Sequence, residues 1–270
     1  MPGPSTPSAT RSPVPVRLPG GRLEAVRITP SRPIPGASPL VFLHDALGSI
    51  SLWRDLPERL CASLGRTGLA FDRLGFGRSD PRLAPPGPDF LSVEATRILP
   101  EVLRQAEVSR PVLFGHSDGA SIALLFAGAL PEVPAAVVSV AAHVFVEEET
   151  LAGIAAATRD WETTDLPVRL GRHHGEKTEA VFRAWSGSWF HPGFRTFSAA
   201  EALRAIRCPV LAIQGGADEY GTPAQLEAIA SSAGGPVRTL LLPGLGHFPH
   251  REEPERVVAE TARFLADFGA

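Results

Sequence analysis

The pentapeptide Gly115-His116-Ser117-Asp118-Gly119 sets a serine midway between two glycines. A serine hydroxyl attacks carbon only when a base takes its proton, and the base works only when an acid orients it. The pattern G-x-S-x-G is what a sharp strand-to-helix turn demands, because the serine backbone is strained there and its neighbours two positions away must be glycine-small. The flanks agree: "RPVLFGH" (Arg110–His116) reads as a buried strand and "GASIALLFAGAL" (Gly119–Leu130) as a helix. Such a turn brings Ser117 to the carboxyl end of a sheet and aims a helix N-terminus at it. A glycine-rich turn without chemistry would look the same locally, so the partners decide.

Two later strands offer them in the order this turn requires, serine, acid, histidine. "PVLAIQG" is followed by "GADEYGT", which supplies Asp218. "RTLLLPG" is followed by "LGHFPH", which supplies His247. Glu219 is an alternative acid with a longer arm, and His250 an alternative base beside a helix start. His116 faces away from Ser117 in such a turn and reads as structural. The oxyanion of an acyl-transfer intermediate needs two fixed N–H donors. The backbone N–H of Asp118 is one, and the loop "DALGS" after "VFLH" supplies the other, assigned to Ala46 with the neighbouring Asp45 N–H as the alternative.

Other candidates are weaker. His173 and His174 are adjacent but have no further ligand nearby, and read as solvated rather than metal-bound. Cys61 and Cys208 sit among apolar residues and read as buried free thiols. No metal and no cofactor is expected.

The elements that must hold these residues follow from periodicity. Short apolar runs at Ser38–His44, Gly68–Asp72, Arg110–His116, Ala135–His143, Arg207–Gly215 and Pro236–Gly244 alternate with amphipathic stretches. Helices are expected over Ser51–Gly65, over Asp89–Val108 with a kink at Pro100, from about Thr222 to Ser232, and at the C-terminus. Strands apolar on both faces, separated by helices, imply a mostly parallel, doubly wound α/β sheet. "VPVRLP" and "RLEAVRIT" look like an antiparallel hairpin added at the sheet edge. The rhythm breaks over about Phe145 to Ala205, a stretch rich in Trp and Phe that reads as an inserted helical cap over Ser117. The expected organisation is a disordered arm over 1–12, core over 13–144, cap over 145–205 and core again over 206–270.

From about Val14 to Phe268 the chain resembles the α/β-hydrolase superfamily, in a bacterial ester-hydrolase-like branch. The motifs that carry this are "LHDALGSISLW", "FDRLGFGRSD", "GHSDGAS", "IQGGADEYGT" and "LGHFPH". The resemblance implies that the first supplies an oxyanion donor, the third the nucleophile, and the last two the acid and base. It also places "FDRLGFGRSD" next to the active site, with Asp72 at a strand end; the glycines of this stretch read as a tight loop, in which a structural Arg78–Asp80 pair is expected. The sequence departs from the common pattern in having Asp45 after His44 and Asp118 after the nucleophile. Both put carboxylates near the site, which disfavours a strongly anionic substrate.

The expected activity is a serine hydrolase cleaving a small to medium, apolar or aromatic carboxylic ester. Lactonase, thioesterase and carbon–carbon bond hydrolase would use the same triad, and a non-catalytic ligand-binding protein is the other class. A net charge of -3 offers no basic face for nucleic acid. With no signal-peptide core and no run of about 18 apolar residues, the expectation is a cytoplasmic protein without a membrane partner, acting on a small molecule.

Overall fold

The computed structural model describes residues 8–270. Its main sheet has eight strands: β1 (Ala9–Pro13), β4 (Ala25–Pro30), β5 (Leu40–Leu43), β6 (Gly68–Phe71), β7 (Val112–His116), β8 (Ala136–Val140), β9 (Val210–Gly215) and β10 (Val237–Leu242), ordered β1-β4-β6-β5-β7-β8-β9-β10. Strands β5 to β10 pair in parallel, while β1 and β4 are antiparallel additions at one edge. The chain runs outward from β5 to β6 and then returns to β7, so the winding reverses between β5 and β7. Loops leaving those two strands diverge there and open a crevice at the carboxyl ends.

The strands are apolar on both faces because each face is covered. Val41 and Leu43 of β5, with Leu113 of β7, join one core cluster. Leu40, Phe42, Val112 and Phe114 join the other. Burying both faces is what turns these strands into continuous apolar runs. Helices α1 (Leu56–Leu64) and α11 (Pro254–Phe268) cover the second face through Leu60, Val257 and Phe264. Helices α2 (Phe90–Val93), α3 (Leu99–Gln105) and α4 (Asp118–Ala129) cover the first. Residues 118–128 of α4 are all buried, which explains a helix without a polar stripe.

Four sequence expectations are revised. Residues 9–12, expected in a disordered arm, form most of β1, which pairs with β4 from Ala9↔Pro30 to Pro13↔Val26. The open backbone edge of β4 outweighs a Pro- and Ser-rich composition, and an edge strand tolerates Pro13. Residues 1–7 of that arm lie outside the described residues. The expected hairpin exists as β2 (Val16–Leu18) with β3 (Gly21–Leu23), but it forms its own two-stranded sheet, and β4 joins the main one. The helix expected over 51–65 divides into a 3-10 turn, Ile50–Trp53, and α1. Arg54 has φ of 56° between them, and Pro57 near the helix start favours a fresh first turn. The kink expected at Pro100 is a π-helical turn, Glu94–Ile98, between α2 and α3; proline cannot donate the next helical hydrogen bond.

Between β8 and β9 lie α5 (Glu148–Thr163), α6 (Leu166–His174), α7 (Thr178–Phe190) and α8 (Ala200–Ala205). The last of these packs on α4, where a side chain on Gly128 would meet the Ala202 carbonyl oxygen at 2.3 Å. Helices α9 (Pro223–Ser232) and α10 (Pro249–Glu252) complete the fold. Cys61 and Cys208 are buried and free.

Candidate active site

Strand β7 ends at His116 and α4 begins at Asp118, leaving one residue for the turn. Ser117 takes that position with φ 52° and ψ -121°, a left-handed conformation that costs a non-glycine residue about 1–3 kcal/mol. The turn also explains both glycines, though by different contacts. A side chain on Gly115 would meet the Gly119 carbonyl oxygen at 2.4 Å, so this pair collides as the motif predicts. A side chain on Gly119 would instead meet the Leu43 carbonyl oxygen of β5 at 1.9 Å. The second glycine therefore lets α4 lie against the neighbouring strand.

Asp218 and His247 come together from the loops after β9 and β10. The His247 ring Nδ1 lies 2.9 and 3.0 Å from the two Asp218 oxygens. The carboxylate is fully buried and accepts two further hydrogen bonds, from Gln214 Nε2 at 2.6 Å and from the Tyr220 N–H at 2.8 Å. Burial works against its charge, but His247 and the Tyr220 amide outweigh it and hold the carboxyl below its usual range. Burial likewise opposes an imidazolium at His247, while Asp218 and then Glu219 raise its pKa. The arrangement fixes the proton on Nδ1 and leaves Nε2 as the basic nitrogen.

The two alternatives hold other positions. Glu219 accepts the backbone N–H of His247 at 3.2 Å and does not reach the ring. His250 is buried against His116, with ring centroids 4.4 Å apart. His116 lies beneath the site, and its Nε2 donates to the His247 carbonyl at 2.8 Å.

Ser117 and His247 line one cavity of about 320 Å³, with Ala46, Asp118, His143 and Tyr220 around them. No hydrogen bond joins their side chains among the described residues. The backbone N–H groups of Ala46 and Asp118 have no partner there either. Asp118 is the first residue of α4, where amides lack intrahelical acceptors. Ala46 follows β5, on the far side of the crevice from Ser117. A second cavity of about 290 Å³ shares Ala46, Asp118 and Trp185 with the first, and is walled by Phe76, Leu83, Phe90 and Val181.

Two residues that sequence reasoning passed over, Arg73 and His143, sit at this junction with Trp185, one of the cap aromatics from which pocket-lining residues were expected. Arg73, only 3% exposed, reaches under the loop after β5 and donates from Nη2 to the Asp45 carbonyl at 2.8 Å. His143 follows β8 at the carboxyl edge of the sheet, where β5, β7, β9 and β10 supplied Ala46, Ser117, Asp218 and His247. Burial pushes its pKa down to about 4, and its Nε2 donates to the Tyr220 carbonyl at 3.0 Å. Trp185 lines both cavities, and only a helical-wheel placement of the insert could have selected it from its neighbours.

The loop "FDRLGFGRSD" is built around Asp72, which accepts from the Ile50 N–H at 2.6 Å and the Arg78 N–H at 2.7 Å. Arg78 and Asp80 do not pair as expected; Asp80 accepts from the Arg22 N–H at 2.7 Å. His174, expected to be solvated, is 3% exposed. Its Nδ1 accepts from the Gly77 N–H at 2.9 Å and its Nε2 donates to the Leu47 carbonyl at 2.9 Å, which fastens α6 to two core loops. His173 Nδ1 meets Ser51 Oγ at 2.8 Å. Among the described residues no group of three or more His, Cys, Asp or Glu is placed to hold a metal ion, and no helix is long and apolar enough to cross a membrane.

A doubly wound sheet with a strained serine turn at its switch point defines a class of hydrolase-like fold. The chain belongs to the alpha/beta hydrolase family, whose model matches residues 40–260. It is similar to an sn-1-specific diacylglycerol lipase, ABHD11, of Danio rerio, at 32% identity over 36% of this chain and 29% of that protein's length. The match thus covers under a third of that relative. Two solved structures are similar over most of both chains. A membrane phospholipase A described as a bacterial virulence factor superposes with a TM-score of 0.75 at 20% identity, covering 96% of this chain and 86% of that one. A thermophilic esterase from Thermogutta terrifontis superposes with a TM-score of 0.70 at 18% identity, covering 97% and 100%.

Proposed function

We propose that the protein is a serine hydrolase cleaving a small to medium, largely apolar or aromatic carboxylic ester through an acyl-enzyme. The observation that carries this is His247, paired with Asp218 behind it and sharing one cavity with Ser117, beside two unpartnered backbone N–H groups. Ser117 Oγ attacks the acyl carbon while His247 Nε2 takes its proton. The carbonyl oxygen becomes an oxyanion held by the N–H groups of Ala46 and Asp118, with the α4 N-terminus behind them. His247 then returns the proton to the departing alkoxide, leaving the acyl group on Ser117. Water adds by the reverse proton path and releases the acid. Asp218 stays ionised throughout and steadies the imidazolium.

The apolar walls of the second cavity suit a hydrophobic acyl or aryl group. Helices α5, α6 and α7 supply Ile154, Leu170 and Trp185 around the serine and act as a cap. The relatives named as a lipase and an esterase fit the same substrate class. The test is a panel of purified variants on graded acyl, aryl, lactone and thioester substrates. Esters should be the best substrates, and Ser117→Ala and His247→Ala should lose nearly equal activity, since triad members act as a unit. A His247→Ala protein with turnover close to wild type would overturn the mechanism.

A further inference from the structure

Arg251 lines the cavity that holds Ser117, and among the described residues its guanidinium has neither a hydrogen bond nor an ion pair. It stands on α10, the short helix that follows His247. Its half-buried side chain lies against Phe248, with Cζ 4.4 Å from the ring centroid, and that centroid is 5.3 Å from the His247 ring's. The stacking holds the guanidinium in place but uses none of its five N–H donors. Nε is buried without a partner. Nη1 and Nη2 make no hydrogen bond either among the described residues, and they are not buried. Arg169, the other arginine of this cavity, is paired with Asp165 at 2.9 Å. Asp45 shares the cavity and its charge favours the guanidinium, but its own close neighbour is His116 Nδ1 at 3.8 Å. Burial works against the charge of Arg251, and no carboxylate within ion-pair distance offsets that cost.

The position of this cation decides which part of a substrate it reads. In the serine-hydrolase reading, on which the inference rests, His247 returns its proton to the departing oxygen. The alcohol part of the ester therefore lies on the His247 side, while the apolar walls of the second cavity take the acyl group. We infer that Arg251 binds a carboxylate on the alcohol part of the substrate through its free Nη donors, so that the preferred esters are those whose alcohol is a hydroxy acid. A guanidinium fork matches a carboxylate through two parallel hydrogen bonds. The acidic groups of the site allow a single negative charge here. Asp118 is balanced by Arg73, whose Nη2 lies 3.9 Å from its Oδ2. Asp45 and Asp160 line the same cavity as Arg251 and would repel a dianion such as a phosphate monoester.

The test compares 3-carboxyphenyl butyrate with 3-carbamoylphenyl butyrate, which share an acyl group and differ in the charge on the alcohol. Wild-type protein should favour the carboxylate ester in kcat/KM by tenfold or more, the size of one hydrogen bond between charged groups. Arg251→Gln should bring the ratio to one or below. Arg251→Lys, which keeps the charge and loses the fork, should fall between. A purely structural role would depress both esters alike and leave the ratio unchanged. In wild-type protein, 3-hydroxybenzoate should slow phosphonate labelling of Ser117 at lower concentration than 3-hydroxybenzamide does, which reads the preference without any variant. An unlabelled Ser117 overturns the hydrolase reading and this inference with it. Intact labelling with a wild-type ratio near one, or with a ratio indifferent to Arg251→Gln, overturns this inference alone.

Discussion

Gly119→Ala puts one carbon where the structure has no room. The added Cβ would lie 1.9 Å from the Leu43 carbonyl oxygen, 2.4 Å from its carbon and 2.7 Å from the His44 carbonyl oxygen. Ordinary contact begins near 3.4 Å, so α4 must withdraw from β5 by about 1.5 Å. The obstacle is main chain in a central strand and cannot rotate aside. Overpacking of this kind costs about 1–3 kcal/mol or more, which for a chain of this size lowers Tm by roughly 2–4 °C per kcal/mol. The chemical cost is larger. Ser117 and the Asp118 N–H move with α4 while Ala46 and its N–H stay with β5, so the two proposed oxyanion donors separate. A displacement of about 1 Å at a reacting centre costs on the order of 10²-fold in rate. Thermal unfolding and ester kinetics on the same preparation separate the two effects. Gly187→Ala, in α7 with nothing within 4 Å of the added carbon, is the control and should hold or slightly raise Tm. A Gly119→Ala protein with wild-type Tm and turnover would refute the packing of α4 against β5 as the source of the site's geometry.

Four further outcomes follow from the contacts. Asp218→Asn should cut kcat by orders of magnitude, because the amide no longer secures the Nδ1 proton, while Glu219→Gln should leave the kcat plateau nearly intact. The acid limb of the pH profile checks the sign: in the proposed mechanism His247 works as a neutral base, so activity should rise with pH through a pKa raised above 6.5, and Glu219→Gln should move that midpoint down. His174→Ala removes both partners of buried core groups, and should destabilise by about 2–4 kcal/mol in denaturant unfolding. Trp185→Ala should reorder the acyl groups in the substrate panel while phosphonate labelling of Ser117 persists.

The parallel sheet was legible because strands buried on both faces leave unbroken apolar runs, and the candidates Ser117, Asp218 and His247 because the first is the turn residue directly after such a run and the other two lie one short loop beyond one. The edge was not, since β1 owes its order to the open side of β4 and not to its own composition. His174 was misjudged for a related reason. Two adjacent histidines beside Arg172 look solvated, and only the fold shows the Gly77 and Leu47 backbone groups waiting for one of them. The Asp118–Arg73 arrangement was half visible: the carboxylate after the serine was evident, but its counter-charge comes from a loop about 45 residues earlier, at a distance no local pattern encodes.

The central claim is that Ser117 is the nucleophile, and intact-mass measurement after exposure to an organophosphonate ester tests it most directly. Wild-type protein should gain the mass of a single adduct, peptide mapping should place it on Ser117, and Ser117→Ala should gain none. A single adduct on another serine, or equal labelling of Ser117→Ala, would contradict the account.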